Sequence, residues 1–171
     1  MSEFSRRGTM SPRVFPPLLL AALALPAHAG PRVGEAEVRE NSNGMPCFTI
    51  SEKEERRGGA PEFHAILITD PSRGRAKMWA MAMPPTRSFT VFYNMCIPYA
   101  GRVQALPQTP AAKLEPGKVY EVNIDAQVPN GPRAYFARFC LAKQRDGSVI
   151  VHSIGEGAHE GLHRFGCLPA D

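Results

Sequence analysis

Apolar and polar side chains alternate with a period of two along several short stretches of this chain. In the clearest stretch, Tyr120, Val122 and Ile124 would share one face, and Glu121 and Asn123 the other. This period is typical of a half-buried β-strand. Asn-Gly and Pro-Gly turn signals separate the stretches, and none has a convincing helical period. The pattern therefore predicts an all-β domain, an antiparallel, immunoglobulin-like β-sandwich, with a small barrel as the alternative.

The predicted strands lie between residues 35 and 153 of the chain. The segment 154–171 contains several glycines, and we expect it to be an irregular tail. The charged segment 52–59 ends in two glycines and is expected to be a loop. Together, residues 30–171 are predicted to form a single domain.

The first 29 residues have the three parts of a cleavable secretory signal. A short apolar run, residues 18–25, is followed by the small-x-small site Ala27-His28-Ala29. The basic residues that precede the run are Arg6, Arg7 and Arg13. The run is shorter than the roughly 20 residues that span a bilayer. We therefore predict cleavage after Ala29 and a soluble mature protein in the periplasm or outside the cell, translated from Met1 or Met10.

Removal of this leader would leave 142 of the 171 residues, with 17 basic and 15 acidic side chains. With a net charge of only +2, the mature chain lacks the strongly basic composition expected of a nucleic-acid-binding domain. No cysteine lies next to the predicted cleavage site, so no lipid anchor is expected. These features exclude nucleic acid and a membrane anchor from the predicted partners.

All four cysteines lie in the predicted mature part of the chain. An even number of cysteines in an exported protein predicts two disulfides, for which three pairings are possible. We favour Cys47–Cys96, which would tie an early strand to a middle one, and Cys140–Cys167, which would hold the tail on the last hairpin. The cysteines are too far apart in sequence for the close pairs of a structural zinc site.

One motif has the pattern of a catalytic site. His159-Glu160-Gly161-Leu162-His163 matches H-E-x-x-H, in which two histidines on a helix bind zinc and the glutamate acts as base. The third-ligand position of the longer metalloprotease motif is Pro169, and nearby glycines disfavour a helix. Cys167 could replace the missing ligand only without its disulfide. The favoured interpretation is a solvated tail with no metal or cofactor, and zinc binding through His159, Glu160 and His163 is the alternative.

Three methionines, Met78, Met81 and Met83, surround Trp79 in a predicted strand. A soft-metal surface would use such side chains, but their spacing favours packing in the core. Ser148 and Ser153 lack a G-x-S-x-G context, so a serine hydrolase is not indicated. We therefore predict no catalytic residues.

The order of several short motifs resembles a known family. Cys47 lies in an early strand, Cys96-Ile97-Pro98 follows an alternating strand, and Pro116-Gly117-Lys118-Val119-Tyr120 begins another. This arrangement is similar to periplasmic lipoproteins assigned to type VI secretion immunity, and it spans about residues 36–153. The resemblance implies a protein that binds and neutralises a toxin without catalysis. The chain departs from the family by lacking a lipobox and by its additional cysteines and histidine-bearing tail.

The leading hypothesis is therefore a periplasmic binding protein that presents loops on a rigid scaffold to a protein partner. In its sharpest version it is an immunity protein that binds and neutralises a secreted toxin. The candidate contact segments are 52–59, 70–75 and 98–110. Two alternatives remain open at this point: a zinc-binding protein or metallohydrolase, and an envelope protein without a dedicated ligand.

Overall fold

The computed structural model describes residues 32–101, 106–155 and Cys167. Within them lie nine β-strands, one α-helix and a short 3-10 helix (Pro71–Arg73). The strands are β1 (Gly34–Glu40), β2 (Pro46–Ile50), β3 (Glu62–Asp70), β4 (Ala76–Ala82), β5 (Phe89–Thr90), β6 (Ile97–Pro98), β7 (Val119–Gln127), β8 (Ala134–Lys143) and β9 (Val149–Ile154), and the helix is α1 (Glu52–Gly58). The predicted leader, 1–29, and the histidine motif, 159–163, lie outside the described residues.

The strands form one mixed sheet in the order β4-β3-β7-β8-β1-β2-β6, with β5 paired to β3 and β9 paired to β8. Every pair is antiparallel except β1 and β8, where Gly34 lies opposite Tyr135. The all-β class is confirmed. The antiparallel, immunoglobulin-like sandwich is not confirmed, because a parallel pair joins all nine strands into a single curled sheet.

The curl of the sheet encloses the main core. Phe48 of β2 and Phe139 of β8 are not on neighbouring strands, yet their ring centroids are 5.6 Å apart. Tyr120 of β7 packs against the same Phe139 ring, also at 5.6 Å. The β1-β2-β6 end of the sheet therefore lies over one face of β7 and β8. We call the opposite face of these two strands the outer face.

The methionines around Trp79 belong to this core. Trp79 is fully buried, Met78 and Met81 are buried, and Met83 packs against them from the edge. The Trp79 ring also meets the ring of Tyr99 edge-on, with centroids 5.6 Å apart. The prediction of core packing for this segment is confirmed.

Strand β7 shows the predicted alternation along most of its length. Val122 and Ile124 are fully buried in the core, and Asn123 and Asp125 are exposed on the outer face. Glu121 also points to the outer face but is only 6% exposed. Part of the outer face is therefore covered, at a position where the alternation predicts contact with solvent.

Both disulfides have the pairing that we favour from the sequence. Cys47 of β2 is bonded to Cys96, just before β6, and Cys140 of β8 is bonded to Cys167. Cys140 and Cys167 form a second, small apolar cluster with Val119 and Ala142. Because Val119 and Cys140 are partners across β7 and β8 on the outer face, this disulfide holds Cys167 against that face.

The segment predicted to be a charged loop is instead a helix, α1. Ser51 caps its N-terminus by accepting a hydrogen bond from the backbone N–H of Glu54 at 3.3 Å, and Gly59 ends it with a positive φ of 85°. Three acidic residues in the first turn and two arginines in the last turn complement the helix dipole. No helix in the described residues is long and apolar enough to cross a membrane.

Candidate functional site

A groove of about 900 Å³ opens on the outer face of the sheet. Asn123 of β7 and Phe136 of β8 line it, together with residues 32–36, part of α1 and the turn that holds Arg75. A smaller cavity of about 440 Å³ at the β7–β8 turn has one cationic lining residue, Arg133. The larger groove gathers far more charge and is the better candidate for a binding site.

Cationic side chains dominate the groove. Five cationic and two carboxylate side chains line the groove. A third carboxylate, that of Glu121, pairs with two of these cations, so the local net charge is +2. The cations are Arg32, Lys53, Arg57, Arg75 and Arg138, and the lining carboxylates are Glu35 and Glu54. The groove is thus electrostatically suited to an anionic occupant.

Glu54 of α1 is the centre of one arginine–glutamate–arginine triad. Its side chain is 4% exposed, and both of its oxygens accept hydrogen bonds of 2.7 Å from the two Nη atoms of Arg32. Arg57, one turn further along α1, adds a contact of 3.3 Å. The Arg32 hydrogen bonds lower the pKa of Glu54, against the opposing effect of burial, and raise the pKa of Arg32.

Glu121 is the centre of a second triad. Its Oε1 lies 3.5 Å from Nε of Arg138, its partner across β7 and β8, and its Oε2 lies 3.7 Å from Nε of Arg75. The Glu121 side chain is 8% exposed, whereas those of Arg75 and Arg138 are 77% and 39% exposed. The buried Glu121 carboxylate therefore positions two guanidinium groups that stay exposed at the surface.

The backbone of the turn before β4 brings Arg75 over Glu121. Gly74 and Arg75 both have left-handed φ angles, of 62° and 58°. Glycine adopts this conformation without cost, but a residue with a Cβ rarely does. The second of these residues is therefore strained, and its side chain is the one that reaches the groove.

Apolar surface completes the groove beside the charges. The guanidinium of Arg138 stacks over the ring of Phe136, with Cζ 5.6 Å from the centroid. Val33, which also lines the groove, is 59% exposed. Guanidinium groups next to apolar surface can bind carboxylates through paired hydrogen bonds while the apolar wall covers the stem of the bound side chain.

In the described part of the chain, no His, Cys, Asp and Glu side chains cluster closely enough to hold a metal ion.

Two of the three contact segments predicted from the sequence contribute to the groove. The segment 52–59 supplies the α1 side chains of the groove, and 70–75 supplies Arg75. The described part of 98–110 does not line the groove. The histidine motif, His159, Glu160 and His163, lies outside the described residues, but the thiol of Cys167 is in a disulfide and so is not free to replace the missing third ligand.

Of the six charged residues in the two triads, Arg32, Glu121 and Arg138 lie outside the contact segments predicted from the sequence. Glu121 and Arg138 each occupy an outward position in an alternating strand, where a charged side chain usually means only contact with solvent. A cross-strand pairing of opposite charges is a signal that could have linked them. It becomes visible only when the register of β7 and β8 is known.

Comparisons of the chain with protein-family models, with curated proteins and with solved structures give no match. The charge, burial and contacts of the groove are therefore the basis for its functional interpretation.

Proposed function

We propose that this chain is an exported binding protein that holds an acidic segment of a protein partner in the outer-face groove. In its most specific form, the partner is a toxin that the chain neutralises by binding, without catalysis. The observation that carries the proposal is the presence of two buried carboxylates, Glu54 and Glu121, that each orient two arginines along one groove.

The mixed character of the groove favours a protein segment over a polyanion. Five cations and three carboxylates give a modest net charge of +2, and Phe136 and Val33 supply apolar surface. Nucleic acids and similar polyanions bind to denser basic surfaces, because each neutralised phosphate needs its own cation. Acidic side chains on a protein, with their apolar stems, fit this combination better.

The location outside the cytoplasm is supported by the cysteine chemistry. Two disulfides indicate an oxidising compartment. The leader predicted for residues 1–29 would deliver the chain there. The resemblance to type VI secretion immunity proteins gives the proposal its most specific form, since such a protein meets its toxin in the periplasm.

The test is capture of the partner from a periplasmic extract by three forms of the chain. Wild type and the control Arg73→Gln are expected to retain the same protein, identified by mass spectrometry. Arg73 lies in the same turn as Arg75, is exposed, and does not line the groove. The double variant Arg75→Gln/Arg138→Gln is expected to lose that protein. Equal retention by all three forms would contradict the proposal.

A further inference from the structure

We infer that Arg75 and Arg138 form one carboxylate-binding site, that Glu121 positions them, and that the site takes a single Asp or Glu side chain of the partner. This inference rests on the proposed function and specifies its recognition chemistry. It makes Arg75 and Arg138 the residues that select an acidic segment, and Glu121 a residue that acts only through them.

The contacts of the two arginines leave their terminal nitrogens for a ligand. The closest approach of each guanidinium to Glu121 is through Nε, at 3.5 Å for Arg138 and 3.7 Å for Arg75. Both distances exceed those of ordinary charge-assisted hydrogen bonds. In the described part of the structure, no hydrogen bond uses the Nη atoms of either arginine.

The other triad of the groove differs in this respect. Arg32 donates both of its Nη atoms to Glu54 at 2.7 Å, and Arg57 donates one to the same carboxylate. The fork of Arg32 is therefore already occupied within the protein. In the triad around Glu121, by contrast, both arginines pair with the carboxylate through Nε, and within the described residues their Nη atoms make no hydrogen bond.

The two guanidinium groups also share one anion. Arg75 and Arg138 approach opposite oxygens of the Glu121 carboxylate, so both guanidinium groups lie beside a single buried anion. Two guanidinium groups around one carboxylate retain excess positive charge, which a second carboxylate from the groove side would neutralise. The Phe136 ring adds a cation–π contact to the Arg138 guanidinium.

The turn before β4 sets the position of the Arg75 side chain. A left-handed φ of 58° is unusual for a residue with a Cβ, and strain of this kind clusters at binding and catalytic sites. The Arg75 side chain is 77% exposed and makes only a long contact with Glu121, so the turn conformation places it beside the carboxylate and leaves it open to solvent.

The probe for the test is a fluorescein-labelled hexaglutamate peptide, with hexaglutamine as the neutral control. Binding to the full disulfide-bonded chain is measured by fluorescence anisotropy. Arg75→Gln and Arg138→Gln are each expected to weaken hexaglutamate binding about 10-fold or more, the effect of losing a hydrogen-bonded charged pair. The double variant should lose less than the product of the two single effects, because both arginines serve one ligand group. Arg73→Gln should bind as wild type does.

Glu121→Gln distinguishes positioning from simple attraction. Removing a negative charge from the groove should tighten binding of an anion if charge alone decides, whereas loss of the positioning carboxylate should weaken it. We expect weaker binding of hexaglutamate by Glu121→Gln. Arg138→Lys, which retains the charge without the fork, should also bind more weakly and gives a second readout if Glu121→Gln does not fold.

Three results would overturn the inference. The first is hexaglutamate binding that survives in Arg75→Gln/Arg138→Gln, and the second is tighter binding by Glu121→Gln. The third is displacement of the peptide from wild type by inorganic phosphate at a lower concentration than by acetate, which would make the pair a phosphate site. Loss of hexaglutamate binding in the double variant, with no protein captured from the extract, would support the carboxylate site and contradict the proposed function.

Discussion

Glu121 of β7 and Arg138 of β8 are partners across two neighbouring strands, and the Oε1 atom of Glu121 lies 3.5 Å from the Nε atom of Arg138. The pair lies on the outer face, which the alternation of β7 predicts to be open to water. Arg75 covers it from the turn before β4, so the carboxylate is buried while the guanidinium groups stay exposed. A charged groove is thereby built on a sheet face that would otherwise be a solvated surface.

The Arg32–Glu54 pair should stabilise the fold more than an exposed pair on the same helix. Arg32→Gln removes two hydrogen bonds from a buried carboxylate, so we expect it to lower the free energy of unfolding by clearly more than the loss of an exposed pair does. The control is Arg56→Gln, whose partner Glu52 is 51% exposed, and its loss should stay below about 0.5 kcal/mol. Urea denaturation at pH 7 measures both. Equal losses would show that burial of Glu54 does not strengthen its ion pair.

The stability that Glu54 contributes should depend on pH in one direction. Its pKa is lowered in the folded protein, mainly by the Arg32 hydrogen bonds, from an ordinary value of 4.5. The contribution is therefore complete above that value and is lost as the pH falls toward the folded pKa. The difference in unfolding free energy between wild type and Glu54→Gln should be largest at neutral pH and shrink below pH 4.5. A difference that grows on acidification would contradict this assignment.

Tyr99 should show the opposite pH dependence, at the alkaline end. Burial raises its pKa to about 12, and its single O–H lies within donating distance of two carbonyl oxygens, that of Ala112 at 2.6 Å and that of Met78 at 3.1 Å. Unfolding restores the ordinary pKa of 10.0, so the advantage of wild type over Tyr99→Phe should be complete below pH 10 and decline as the pH rises toward 12. Denaturation at pH 8 and about pH 11 tests this. No change in the difference between the two forms would place the Tyr99 hydroxyl in contact with water.

A methyl group at Gly34 should disturb the parallel contact between β1 and β8. A Cβ built there would lie 2.6 Å from Cε1 of Tyr135, the residue opposite it. We expect Gly34→Ala to lower the free energy of unfolding by about 1–3 kcal/mol, the usual cost of overpacking. Gly155→Ala is the matched control, because no atom in the described residues lies within 4 Å of its Cβ position. A stability change at Gly34 no larger than that at Gly155 would mean that β1 moves aside freely.

Local pattern was enough to predict most of the strands, and both favoured disulfide pairings are confirmed. The alternating stretch before Cys96 is an exception, because only Phe89–Thr90 of it forms a strand. Val122 and Ile124 alternate with polar residues because one face of β7 is buried, and this relation between period and burial is local. The helix α1 was missed although Ser51 and Glu54 have the spacing of a capping box, because the run of charges and the two glycines favoured a loop. The Ser51–Glu54 spacing was thus a sequence signal that could have predicted this helix.

The groove could not be predicted in the same way. Its charged residues come from the segment before β1, from α1, from the turn before β4 and from β8, and they meet only when the sheet curls. The parallel pairing of Gly34 with Tyr135, which brings the segment before β1 to β8, is a long-range contact without a local sequence signal. The leader, the toxin-neutralising role and the zinc alternative at His159 and His163 stay predictions.

The most direct test of the central claim is the affinity of the captured partner at two ionic strengths. Attraction between the groove and an acidic segment is screened by salt, so the affinity of wild type should fall several-fold between about 50 and 300 mM salt. The double variant Arg75→Gln/Arg138→Gln should bind more weakly at low salt and respond less to added salt, whereas Arg73→Gln should match wild type. Affinities that are equal in all three forms and independent of salt would place the binding surface elsewhere on the protein.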